Sequence, residues 1–110
     1  MNNLEEICMQ LITFAGSAKS SYIEAMTQAR YGELDRARDL ISKGKDAYSK
    51  CHEIHQQMFT ENFNLDESMK TILLAHAEDQ MMASETICIL AEEIIKSYER
   101  IINLENKGES

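Results

Sequence analysis

A chain of 110 residues is the size of one ordinary domain and leaves no room for a second. A hydrophobic fraction of 44% supports a core, while no proline, four glycines and 6% aromatics exclude turn-rich β architectures and leave an all-α fold. The net charge of −8 repels phosphate backbones, so nucleic acid is excluded as a partner, and no apolar run approaches the ~18 residues that span a bilayer.

The first residues, Met1 to Glu6, carry neither a basic region nor a cleavable apolar segment, so a cytoplasmic location is expected. Cys8, Cys51 and Cys88 are an odd, widely spaced set with no Cys-x-x-Cys pair, and they read as small core residues in a reducing compartment.

A first helix is predicted up to Ala29. Its apolar or small residues fall at Leu4, Cys8, Leu11, Ala15, Ala18, Tyr22, Ala25 and Ala29, alternating four and three apart as in a seam packed lengthwise on other helices. Asn2 with Glu5, or Asn3 with Glu6, offers an N-cap. Ala15-Gly16-Ser17-Ala18 is small enough for another backbone or a bulky side chain to come close, and Gly32 ends the helix where left-handed geometry is needed.

A second seam runs Leu34, Ala37, Ile41, Gly44, Tyr48, Cys51, His55 and Met58, followed by a break from Glu61 to Leu65 with Asn64 as the expected cap. The third helix is expected from Asp66 to Leu104, roughly 58 Å long at 1.5 Å per residue. Residues 105–110 are expected to fray, leaving residues 1–104 as one domain. Glu78, Glu85, Glu92 and Glu99 recur every seven residues and are read as its most exposed line. Leu73, Ile87, Ile94 and Ile101 lie opposite, flanked by Leu74, Met81, Cys88, Ile95 and Ile102. An arc that wide contacts two different surfaces, so a homo-oligomer with this helix at the interface is expected. Short connections between long helices imply an antiparallel up-down-up three-helix bundle.

His76 lies about 160° around the third helix from Glu78, on the apolar side, with Asp79 one turn later. An imidazole and a carboxylate at i and i+3 can face a common site, where the carboxylate orients the ring or holds a cation. The bland alternative is a core histidine. His-x-x-Asp alone supplies too few ligands for a metal site within one chain, and His52 and His55 read as seam-edge residues.

The stretch Leu74-Ala75-His76-Ala77-Glu78-Asp79-Gln80-Met81-Met82 resembles the His-Ala-Gln-Asp-His-Leu-Met pattern of the lactose/cellobiose-type enzyme IIA family. That family belongs to the bacterial phosphoenolpyruvate-dependent sugar phosphotransferase system. Phe14 to Ser20 with Glu24-Ala25, and Gly32-Glu33-Leu34 with Ala37, Ala47, His52 and Gln56, extend the resemblance over almost the whole chain. The resemblance implies a homotrimer of three-helix subunits. It implies that His76 accepts a phosphoryl group from the phosphocarrier HPr and passes it to a cognate enzyme IIB, serving uptake of a lactose-, cellobiose- or chitobiose-class disaccharide. It implies that Asp79 lies on the trimer axis, where three copies surround a divalent cation, Mg²⁺. The family's second histidine is Gln80 here and its glutamine is Glu78, which adds negative charge close to a group that must accept a dianion. A competing reading is a helical adaptor without phosphorylation chemistry, in which His76 is structural. A metal-storage bundle is disfavoured by the shortage of paired soft ligands.

Overall fold

A computed structural model of the chain describes residues 4–60 and 67–108, with side-chain surroundings for 4–58 and 72–108. Three helices, α1 (Leu4–Arg30), α2 (Leu34–Thr60) and α3 (Glu67–Gly108), account for these residues without a strand among them. The expected caps at Asn2, Asn3 and Asn64, and the break from Glu61 to Leu65, lie outside the described residues.

All eight predicted seam residues of α1 are buried. They form two apolar clusters that fix the direction of each helix. At one end Leu4, Ile7, Cys8, Leu11 and Ala15 pack with Cys51 and Met58 of α2 and with Ala77 and Met81 of α3. At the other, Ala18, Tyr22, Ala25 and Ala29 pack with Ala37 and Ile41 and with Ala91 and Ile95. The N-terminal half of α1 therefore meets the C-terminal half of α2 and the N-terminal half of α3, so the bundle runs up, down and up.

The α1–α2 turn follows from Gly32, whose φ of +84° places it in the left-handed region. Its amide donates to Ala29 O at 3.0 Å, and the Glu33 amide donates to Gln28 O at 2.9 Å. These two bonds satisfy carbonyls that the end of α1 would otherwise leave open. The hydroxyl of Ser21 donates to Leu40 O at 2.7 Å, and the Cys51 thiol donates to Leu11 O at 3.4 Å. Two polar groups buried between α1 and α2 are thus satisfied.

Two expectations for α3 are corrected. The helix continues to Gly108, a turn past Leu104, because Glu105, Asn106 and Lys107 all tolerate a helix and Lys107 suits the negative end of its dipole. The glutamate row is not its most exposed line. It faces α2, and the buried row is instead Ala77, Met81, Ser84, Ala91 and Ile95, with Cys88 half-buried among them.

Gly44 is buried in mid-α2, where a glycine ordinarily costs about 1 kcal/mol relative to alanine. An added Cβ would overlap the ring of Tyr22, which is only 2% exposed. Overpacking of this kind costs about 1–3 kcal/mol and outweighs the gain in helix propensity. Gly44→Ala should therefore lower the urea midpoint with little change of slope. The thiols give a second expectation. Burial pushes Cys8 up and pushes Cys51 up to about 11, and both side chains are fully enclosed. Iodoacetamide at pH 8 should label Cys88 first and reach Cys8 and Cys51 only after unfolding, as read by peptide mass.

Candidate functional site

The circumference of α3 is divided among three neighbourhoods. One face enters the two apolar clusters. A second, toward α2, carries the glutamates, and each meets a donor on α2. The Glu78 carboxylate lies 2.8 Å from His55 Nε2. Glu85 lies opposite Tyr48; burial first, and then this nearby carboxylate, push the Tyr48 hydroxyl above the usual phenol range. Glu92 lies 3.0 Å from Lys45 Nζ, and Glu99 pairs with Arg38. The Lys45 ammonium, with a bond from the Cys88 thiol, holds Glu92 below the usual carboxylate range.

The sequence carried a signal for this ladder. Arg38 and Lys45 are seven apart on α2, as are Tyr48 and His55, in step with the heptad of glutamates on α3. His55 was read as a seam-edge residue; it is half-buried and bonded across to α3.

Between α2 and α3 opens a groove of about 610 Å³ lined by Tyr22, Lys45, Tyr48, Ser49, His52, Glu85, Cys88 and Ile89. Its Lys45 is paired with Glu92, the Cys88 thiol donates to Glu92, and Tyr22 is buried beside them. Ser49 and His52, both exposed, are further polar side chains on its wall.

The third face of α3 points away from both neighbours, and it carries His76 and Asp79, both exposed. The expectation that the two share a face holds. The expectation that His76 lies on the apolar side holds in an altered sense, since that side is a second apolar surface turned outward. At about 100° per residue Ile72, Leu90, Ile94, Ile101 and Leu104 fall on the same side of the helix as His76 and Asp79, and Ile72 is 73% exposed. Among the described residues nothing hydrogen-bonds the His76 ring, so its nitrogens are available to an incoming group. Glu78, although two residues away, projects from nearly the opposite side of the helix and is bonded to His55. The expected crowding of His76 by a free carboxylate at Glu78 does not occur. Gln80, which stands where the resembled pattern has a second histidine, is half-buried.

Among the described residues no three His, Cys, Asp or Glu side chains gather closely enough in one chain to hold a metal ion. Among them, too, no helix is long and apolar enough to cross a membrane. Ala15 is buried in the seam, whereas Gly16 is open: an added Cβ there would meet nothing within 4 Å.

The sequence and the three-helix bundle have counterparts in known proteins. A family described as "PTS system, Lactose/Cellobiose specific IIA subunit" matches residues 6–99. The lichenan-specific phosphotransferase enzyme IIA component of Bacillus subtilis (strain 168) is 31% identical over 107 residues, spanning 97% of this chain and 96% of that protein. The oligo-beta-mannoside-specific EIIA component of the same organism is 32% identical over 94 residues, 86% of each chain. In a solved structure, the IIA(Chitobiose)–HPr complex of the N,N'-diacetylchitobiose branch of the Escherichia coli phosphotransferase system, a chain superposes with a TM-score of 0.79 at 26% identity. The match covers 92% of this chain and 98% of that one. With the match running from the first turns of α1 into the last third of α3, the chain belongs to the lactose/cellobiose-specific IIA family, the phosphoryl-carrying components of the sugar phosphotransferase system.

Proposed function

We propose that His76 is the phosphoryl acceptor of this IIA component, taking the group from HPr and passing it to a cognate enzyme IIB during uptake of a lactose-, cellobiose- or chitobiose-class disaccharide. The carrying observation is that His76 is exposed on the outward face of α3 with no hydrogen-bond partner among the described residues, whereas His55 is bonded to Glu78. His52, also exposed, stands beside the α2–α3 groove and not on the line that holds Asp79. The complex of the chitobiose relative with HPr supports HPr as the donor. The cytoplasm, where these reactions run, suits a chain with three unpaired thiols.

The step asks little covalent chemistry of the protein. The lone pair of one neutral imidazole nitrogen attacks phosphorus in line as the bond from phosphorus to the donor breaks, and the donor group departs with that bond's electron pair. Transfer onward reverses the roles. Positioning and stabilised phosphoryl oxygens set the rate, and an exposed ring on a rigid helix meets the first need.

The outward line of α3 supports a homotrimer in which three copies of this helix meet. Ile72, Leu90, Ile94, Ile101 and Leu104 form an apolar seam too extended for a lone chain to leave in water. Asp79 belongs to that seam, and on an axis its three copies would repel one another. Carboxylate oxygens from three chains fit Mg²⁺, which prefers hard oxygen ligands, and the single Asp79 per chain requires such a site to be shared. The ion would supply the positive charge that relieves this repulsion.

Two measurements test these readings. After incubation with phosphoenolpyruvate, enzyme I and HPr, the intact mass should rise by one acid-labile phosphoryl group, and His76→Ala should stay folded and show no gain. A wild-type chain that gains nothing under these conditions returns His76 to the adaptor reading. Asp79→Leu should sediment as a trimer even in EDTA, because leucine removes the charge repulsion and adds apolar contact; dissociation into monomers would remove Asp79 from the axis.

A further inference from the structure

We propose that Glu78, anchored to His55, is a positioning residue that sets the rotation of α3 at the turn bearing His76. This rests on the reading of His76 as phosphoryl acceptor and adds to it a device held entirely within one chain.

The argument starts from what packing leaves undetermined. At this level α3 meets α1 through Ala77, fully buried, with Leu73 and Leu74 half-buried beside it. A methyl group and two leucines attract without direction, so they tolerate small rotations of the helix about its own axis. Such rotations are costly for chemistry. A side-chain tip about 6 Å from the helix axis moves about 1 Å for a 10° turn. A displacement of that size can slow an aligned transfer by up to about a hundredfold.

A directional bond on the far side of the same turn removes this freedom. The 2.8 Å contact between Glu78 and His55 Nε2 joins α3 to α2 nearly opposite His76. The His55 and Glu78 side chains are 19% and 39% exposed, a more shielded pair than Lys45–Glu92 or Arg38–Glu99, so solvent and salt weaken it least. The other rungs recur at Glu85, Glu92 and Glu99, and Glu99 lies 21 residues, about 31 Å, from Glu78. Only the Glu78 rung shares a turn with His76. Adjacent acidic residues thus divide their work: Asp79 faces outward with His76, and Glu78 turns inward to hold the helix that carries both.

The test is single-turnover transfer from phosphorylated HPr to the full chain. It compares the native protein with Glu78→Ala, Glu78→Gln and Glu99→Ala, and uses His76→Ala as the blank. Glu78→Ala should slow transfer at saturating donor roughly tenfold or more, while the donor concentration for half-maximal rate stays put. Glu78→Gln keeps an acceptor oxygen for His55 and should restore most of the rate although it removes the charge. Glu99→Ala should transfer at the native rate. A native rate in Glu78→Ala, no rescue by glutamine, or an equal loss in Glu99→Ala would each overturn the proposal. So would loss of helical circular dichroism in Glu78→Ala, because the residue would then serve the fold rather than the site. Phosphorylation of His76→Ala would instead overturn the choice of acceptor, a result separate from all of these.

Discussion

Both apolar clusters are built on one seam of α1, and the small residues of that seam govern everything around it. Ala15, Ala18, Ala25 and Ala29 offer nothing beyond Cβ, so α2 and α3 settle close to the α1 backbone. α2 and α3 both feed the two apolar clusters, but each approaches α1 more closely than it approaches the other. They reach each other through long polar side chains, the four glutamates of α3 and the histidine, tyrosine, lysine and arginine of α2. What remains of α3 has no partner among the described residues. That face holds His76, the proposed phosphoryl acceptor, so the place of the candidate site is a remainder left by the packing of α1.

Acidic residues on α3 show how strongly such a division separates neighbours. Glu78 and Asp79 are adjacent and carry the same charge. One accepts a bond from across the bundle and the other is exposed, because about 100° of helical rotation separates them. Under the proposed acceptor role of His76, Glu78 would burden the approach of a phosphoryl dianion less than its place in the sequence suggests, as its side chain is turned away and bonded to His55.

How much of this was legible beforehand depended on what periodicity can carry. The eight α1 positions from Leu4 to Ala29 were all read correctly, because their spacing matched a helix and their apolar character left one possible destination. Gly32 was equally plain, since a residue that must adopt positive φ has few substitutes. The glutamate heptad was recognised as a row and given the wrong destination. Spacing reveals which residues share a face, and polarity suggests solvent, but Arg38, Lys45, Tyr48 and His55 become visible as partners only once α2 is laid against α3. The far end of α3 was set short for a similar reason: past Leu104 no apolar residue marks the helix, although nothing there opposes it. For the site, spacing put His76 and Asp79 on one face. Their proposed roles came from resemblance, because nucleophilicity and metal binding leave no periodic trace.

The ladder also decides how the molecule responds to force. Along α1 the helices are joined by apolar contact, which salt does not weaken and which resists separation over its whole length. Across the α2–α3 seam they are joined by discrete polar rungs above an open groove, some of them charge pairs that ions screen. The bundle is thus stiff in one direction and compliant in another, like a book whose spine is α1 and whose covers are clasped at intervals. A motion that parted those covers would leave the outward face of α3 intact as a single edge.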